Sequence, residues 1–97
     1  EDINGVIMTV EGGVTQVGRM NVVAINRGSR ESIRAGDILA ILKDGPIVPD
    51  RVTGKSVKLP DEKAGILMVF RVFEKMSFGI VLDATRPLAI NDKVVNP

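Results

Sequence analysis

Apolar residues in this chain fall in short runs separated by glycine, proline, asparagine and aspartate. The most extended pattern runs from residue 65 to residue 84. Gly65-Ile66-Leu67-Met68-Val69-Phe70-Arg71-Val72-Phe73 is followed by the polar stretch Glu74-Lys75-Met76-Ser77, and then by Phe78-Gly79-Ile80-Val81-Leu82-Asp83-Ala84. Branched and aromatic side chains suit a pleated surface, so the pattern predicts a long β-hairpin. On the second arm Phe78, Ile80, Leu82 and Ala84 share one side, while Ser77, Gly79, Val81 and Asp83 share the other. That alternation predicts a strand with one buried face, the Asp83 side reading as the polar one. The first arm is apolar on both sides as far as Arg71, which predicts a strand covered on both faces. A helix over the same residues would be apolar almost all round and rich in β-branched residues, both of which disfavour it.

The remaining runs extend the same picture. Residues 3–10 predict a first strand, Glu11-Gly12-Gly13 a hairpin turn, residues 14–17 its return, and residues 21–26 a third strand. Residues 27–37 carry a single apolar side chain, Ile33, between glycines. They predict one helical turn, with Ser29 accepting from a free backbone N–H at its start and Gly36 left-handed at its end. Ile33 is expected to plug the core, and Asp37 to bond backbone N–H groups of the turn. A strand follows over residues 37–42. Residues 43–54 hold Pro46 and Pro49 with two Gly and two Asp, so they are expected to be loop, and a loop of that length is a place to look for function. Residues 55–59 predict a short strand ahead of the hairpin. After it, Ala89-Ile90-Asn91-Asp92-Lys93-Val94 echoes Ser32-Ile33-Arg34-Ala35-Gly36-Asp37-Ile38-Leu39: an apolar plug, a turn, an Asp and a returning strand. The expected fold class is all-β, a small closed or nearly closed barrel or sandwich of about seven or eight short strands with one short helical turn. Residues 1–97 form one domain.

Composition narrows the chemistry. A 44% hydrophobic and 26% charged content fits a globular fold. A net charge of +1 supplies no field to gather a polyanion, and the only aromatics, three Phe, lie in the apolar hairpin. No nucleic-acid partner is therefore expected. The chain has no Cys, which removes disulfides and thiolate metal sites. No apolar run approaches the roughly 20 residues of a membrane helix, so no membrane span is expected in this chain, and no signal-peptide pattern is present. Its opening on Glu1-Asp2 rather than Met is what is expected of a processed protein or of a domain excised from a larger one.

Without His, Cys or Tyr, catalysis would rest on carboxylates, Lys or Ser. Adjacent Asp61 and Glu62 would point apart in a solvated turn. Asp83-Ala84-Thr85 lacks the Gly of an aspartic-protease turn, and Ser29 has no base to take its proton. Asp44, Asp50 and Asp61 have no EF-hand spacing, and neither Gly12-Gly13 nor Gly28-Ser29 is a phosphate loop, so no cofactor or metal is expected. Arg71 interrupts an apolar strand and is expected to pair with Asp83, with an anion or glycan contact as the alternative. Arg27, Arg30 and Arg34 surround one turn. These three, with Asp50 of the proline-rich loop, Lys55 at the start of the strand after it, and Arg71, are the candidate binding residues. Two competing classes remain: a carboxylate-dependent hydrolase using Asp50, Asp61 or Asp83, and a homo-oligomeric assembly module with an exposed apolar edge or face on the central hairpin.

From about Val22 onward the chain resembles the C-terminal region of proteobacterial LysM-containing peptidoglycan-binding proteins. The likeness is carried by residues 23–41, by residues 57–73, in which Leu59-Pro60-Asp61-Glu62 leads into Gly65-Ile66-Leu67-Met68-Val69-Phe70-Arg71, and by Ala84-Thr85-Arg86-Pro87. Through Gly28, Ser29, Gly36 and Asp37 it is more distantly similar to the C-terminal β-domain of flagellar and curli-type assembly factors. The resemblance implies a periplasmic or envelope protein whose separate LysM module holds glycan, with this domain following it and contacting peptidoglycan or an envelope protein. No LysM motif is visible in the chain, so no glycan-binding residue carries over.

Overall fold

The computed structural model describes residues 2–10 and 18–97, so the expected turn at residues 11–13 and return strand at 14–17 lie outside the described residues. Strands β1 (Asn4–Val10), β2 (Val22–Ile25), β3 (Ile38–Lys43), β4 (Ile47–Pro49), β5 (Ser56–Lys58), β6 (Glu62–Val72), β7 (Ser77–Ala84) and β8 (Lys93–Val95) are joined by turns and by one 3₁₀ turn, Ser29–Glu31. Six of them close a barrel in the order β1-β2-β7-β6-β3-β8, every neighbouring pair antiparallel. β4 and β5 form a separate two-stranded sheet. The all-β barrel expected from the sequence is the observed fold.

Inside the barrel Ile7, Val23, Ile25, Ile41, Leu67, Val69, Val81 and Val94 are fully buried. The inward face of β7 is therefore Ser77, Gly79 and Val81, and the outward one is Phe78, Ile80 and Leu82, the reverse of the face suggested by side-chain polarity. Ser77 survives inside because its hydroxyl donates to the Arg27 carbonyl at 2.9 Å. Nor is β6 covered on both sides. Its inward Leu67 and Val69 are buried, while outward Ile66 and Met68 are half-buried and Phe70 is 47% exposed. Outward apolar residues made the strand look doubly covered.

The barrel is built twice from one plan. A hairpin (β1-β2, then β6-β7) is followed by a corner and a third strand (β3, then β8), and each third strand pairs with the first strand of the other half. The corners agree atom by atom. Asp37 Oδ2 accepts from the Arg34 N–H at 2.9 Å, and Asp92 Oδ2 from the Ala89 N–H at 2.8 Å. Gly36 and Asn91, at φ 96° and 77°, are both left-handed, and their N–H groups donate to Val69 and Ile7 carbonyls respectively. The Val69 and Ile7 N–H groups donate back to the Asp37 and Asp92 carbonyls. Ile33 plugs the first corner as expected, but its counterpart is Leu88, fully buried, whereas Ile90 is 54% exposed. The repeated unit is thus Ile33 to Leu39 and Leu88 to Val94. In the first corner the expected Ser29 cap is replaced by the Glu31 carboxylate, which accepts from the Gly28 N–H at 2.8 Å.

Candidate functional site

β3 and β6 are antiparallel neighbours whose ends already face each other, Leu42 opposite Lys63 and Lys43 opposite Glu62. A tight turn between them would complete the barrel. The chain instead inserts residues 44–61, and β4 and β5 within that insert pair only with each other. The proline-rich stretch expected to be loop is thus half of a two-stranded arm. Pro46 and Pro49 are tolerated because β4 has a free edge and its interior residue, Val48, faces Val57. The molecule is correspondingly elongated, 49 × 29 × 18 Å, with a radius of gyration of 14.7 Å. A compact chain of this length would have a radius of about 12.5 Å.

An isolated two-stranded hairpin is marginal in water, so the arm needs fastening at both ends. At the tip the Asp50 carboxylate accepts from the Val52 N–H at 2.9 Å and the Thr53 N–H at 3.4 Å, while Gly54, at φ 73°, donates to the Asp50 carbonyl at 2.8 Å. The Val52 N–H, then the Thr53 hydroxyl and N–H, hold the Asp50 carboxyl below its ordinary range. Arg51 and Lys55 stand exposed on either side of Val52, which is 94% exposed. The tip therefore presents two cations beside an apolar side chain.

At the base, Asp61 is the hub. One carboxylate oxygen takes Lys93 Nζ at 2.8 Å, and the other takes Lys58 Nζ at 2.9 Å and the Gly45 N–H at 3.0 Å. Lys93 also reaches Asp44 at 2.9 Å, and Lys43 pairs with Asp92 at 2.7 Å. Lys93, then the Gly45 N–H and Lys58, hold the Asp61 carboxyl well below the usual carboxylate range; Asp61, then Asp44, raise the Lys93 ammonium. Gly45 allows the two arm strands to touch, since a Cβ there would lie 2.0 Å from the Leu59 carbonyl oxygen. The solvated turn expected at Asp61 is a half-buried clamp between arm and barrel.

A second cluster lies at the far end of β6. Residues 28–37 run beside it: the Ser29 and Arg30 N–H groups donate to the Phe73 and Glu74 carbonyls at 2.8 and 3.1 Å, and Gly36 and Asp37 bond Val69. The backbone at residues 29–30 thus lies against Phe73 and Glu74, and that at residues 36–37 against Val69. The expected pairing of Arg71 with Asp83 does not occur. A bulge between Val69 and Arg71 puts Arg71 opposite Phe78, whereas Asp83 faces Ile66 far along the strand. The Arg71 guanidinium lies 5.4 Å from the centre of the Phe73 ring, which meets Phe78 edge-on at 6.1 Å. Phe70 and Phe73 are 47% and 42% exposed, so the aromatics expected inside the hairpin in fact face outward. Arg27 turns back onto the Asn26 carbonyl at 2.8 Å.

The candidate binding residues thus divide between two places, Asp50 and Lys55 on the arm and Arg30, Arg34 and Arg71 at the opposite end of β6, with Arg27 behind them. Sequence reading did not find the Asp44, Lys58, Asp61 and Lys93 clamp or the outward Phe70 and Phe73. The one local hint was Lys58 standing three residues before Asp61. The three carboxylates considered for hydrolysis stand on separate elements: Asp50 at the arm tip, Asp61 at its base and Asp83 on β7. Among the described residues no three His, Cys, Asp or Glu side chains form a group able to hold a metal ion, and no helix is long and apolar enough to cross a membrane. Comparison of the chain with family models, curated proteins and solved structures found no match.

Proposed function

We propose that the chain is a non-enzymatic binding domain of a cell-envelope LysM protein, supporting peptidoglycan association or envelope assembly through its arm. The observation that carries this reading is the arm itself: residues 44–61 are not needed to close the barrel, yet they are fastened at the base by ion pairs and at the tip by a closed turn. Ordering costs conformational entropy, roughly 1–2 kcal/mol per residue, and a solvent-exposed hairpin recovers little of it by burial. Fixing such an element in advance lowers the entropy cost of binding. The envelope setting is supported by the resemblance of residues 23–41, 57–73 and 84–87 to LysM proteins.

The test is cosedimentation of the domain with purified peptidoglycan sacculi and with envelope extract. The comparison forms are Lys55→Ala and a form in which residues 44–61 are replaced by Asn-Gly. Retention of the intact domain and its loss in the armless form is the expected result. Equal retention of both forms would take the contact off the arm, and no retention of the intact domain from either source would overturn the envelope reading.

A further inference from the structure

We infer that the open edge of β5 pairs with β5 of a second copy of this chain, joining two arms into one four-stranded antiparallel sheet. This goes beyond the envelope contact given to the arm and does not depend on it.

Which backbone groups of the arm are free follows from its ladder. The Asp50 N–H donates to the Lys55 carbonyl at 2.7 Å, and the Leu59 N–H to the Pro46 carbonyl at 2.9 Å. Bonded pairs in an antiparallel ladder alternate with unbonded ones, so the bonded pair between those two is Val48 with Val57. Ser56 and Lys58 therefore turn their N–H and C=O groups away from β4. Those four groups have no hydrogen-bond partner among the described residues, and the chain is exposed from Arg51 to Pro60. On β4 the outward residues are Ile47 and Pro49, and Pro49 has no N–H. The arm thus has one complete edge and one defective edge.

That asymmetry chooses the occupant. Two β5 strands related by a two-fold axis through Val57 set Ser56 opposite Lys58 of the other copy, twice over. Each such pair exchanges two bonds, so every free group on the edge finds a partner. An edge pairing that uses β4 instead leaves an acceptor opposite Pro49 without a donor. Pairing β5 with β5 also leaves only the defective β4 edges outside, so the sheet stops at two copies rather than growing into a fibre. The side chains agree with this register. Val57, 44% exposed, meets its own counterpart on the axis, and with Val48 of each copy it forms an apolar stripe. Lys55 falls opposite Leu59 and Lys58 opposite Ser56, so no like charges face each other directly. Each Lys58 ammonium is already held by its own Asp61 at 2.9 Å. Four strands with an apolar face also make a sturdier sheet than the two of a lone arm.

The experiment is sedimentation equilibrium of the intact domain, with oxidative cross-linking beside it. The mass is expected to rise reversibly from one chain to two, and no further, between about 10 μM and about 1 mM, the range of a small interface. Ser56→Pro removes an N–H that the arm itself does not use, and is expected to weaken the dimer at least about tenfold with an unchanged circular-dichroism spectrum. The chain has no Cys, so Val57→Cys carries a single thiol. On the axis its Cα would lie about 4.5 Å from its counterpart, within disulfide reach, and mild oxidation should link two chains through it. Ile47→Cys, on the exposed outer side of β4, should not link. Equal linking of the two thiols overturns the inference, as does a dimer that survives replacement of residues 44–61 by Asn-Gly. A domain that stays a single chain up to about 1 mM overturns it whether or not sacculi retain that domain.

Discussion

A Cβ at Gly28 would stand 2.2 Å from the Phe73 carbonyl oxygen and 2.7 Å from the Met76 nitrogen, with backbone on all sides and no flexible side chain to yield. Gly28→Ala must therefore push the first corner off β6. Urea denaturation is expected to show a loss above about 2 kcal/mol. At Asp61 the expectation concerns pH. A carboxylate depressed in the folded state stabilises that state above its ordinary pKa, about 3.9, and the contribution is lost only as pH falls through the lowered value. The clamp should then remain ionised at pH 4, and a carbon-13 titration should find Asp61 protonating well below the ordinary aspartate value. A midpoint near 3.9 would refute the clamp. Lys93 runs the other way. Its raised value means a contribution present below the ordinary lysine pKa and lost as pH climbs past the raised one. Gly36 and Asp37 were legible in the sequence because a left-handed residue and its carboxylate partner are local. Asp61 was not, since Lys93 stands 32 residues away and only the barrel brings it back.

At the scale of elements, strands were legible and their faces were not. Period two states that Ser77, Gly79 and Val81 share a side of β7, but polarity assigned that side outward, and the Ser77 bond to the Arg27 carbonyl is what permits it inside. The correction has a measurable form. Val81→Ser, at a fully buried position, is expected to cost about 2–4 kcal/mol in thermal or urea unfolding, and Ile80→Ser less than half of that. Equal costs would mean that both sides are sealed. The arm escaped the sequence for a related reason: prolines rule out a central strand but leave a free-edged strand open. Since Lys43 already faces Glu62, the Asn-Gly replacement of residues 44–61 should leave the barrel's amide-exchange protection in place.

For the whole molecule, the sequence showed a small closed β fold and the echo of one corner in another. It could not show which strand meets which, because pairing between distant runs leaves no local trace. That pairing is an exchange. β3, from the first half, closes against β6, and β8, from the second, closes against β1, so each half completes its partner's hairpin rather than its own. The two halves grip like clasped hands, with the arm as the only covalent bridge. Cutting that bridge should not part them: fragments 1–52 and 53–97, each without β structure alone, should regain the β circular-dichroism signal when mixed one to one. The barrel is in this sense a dimer of half-barrels written into one chain.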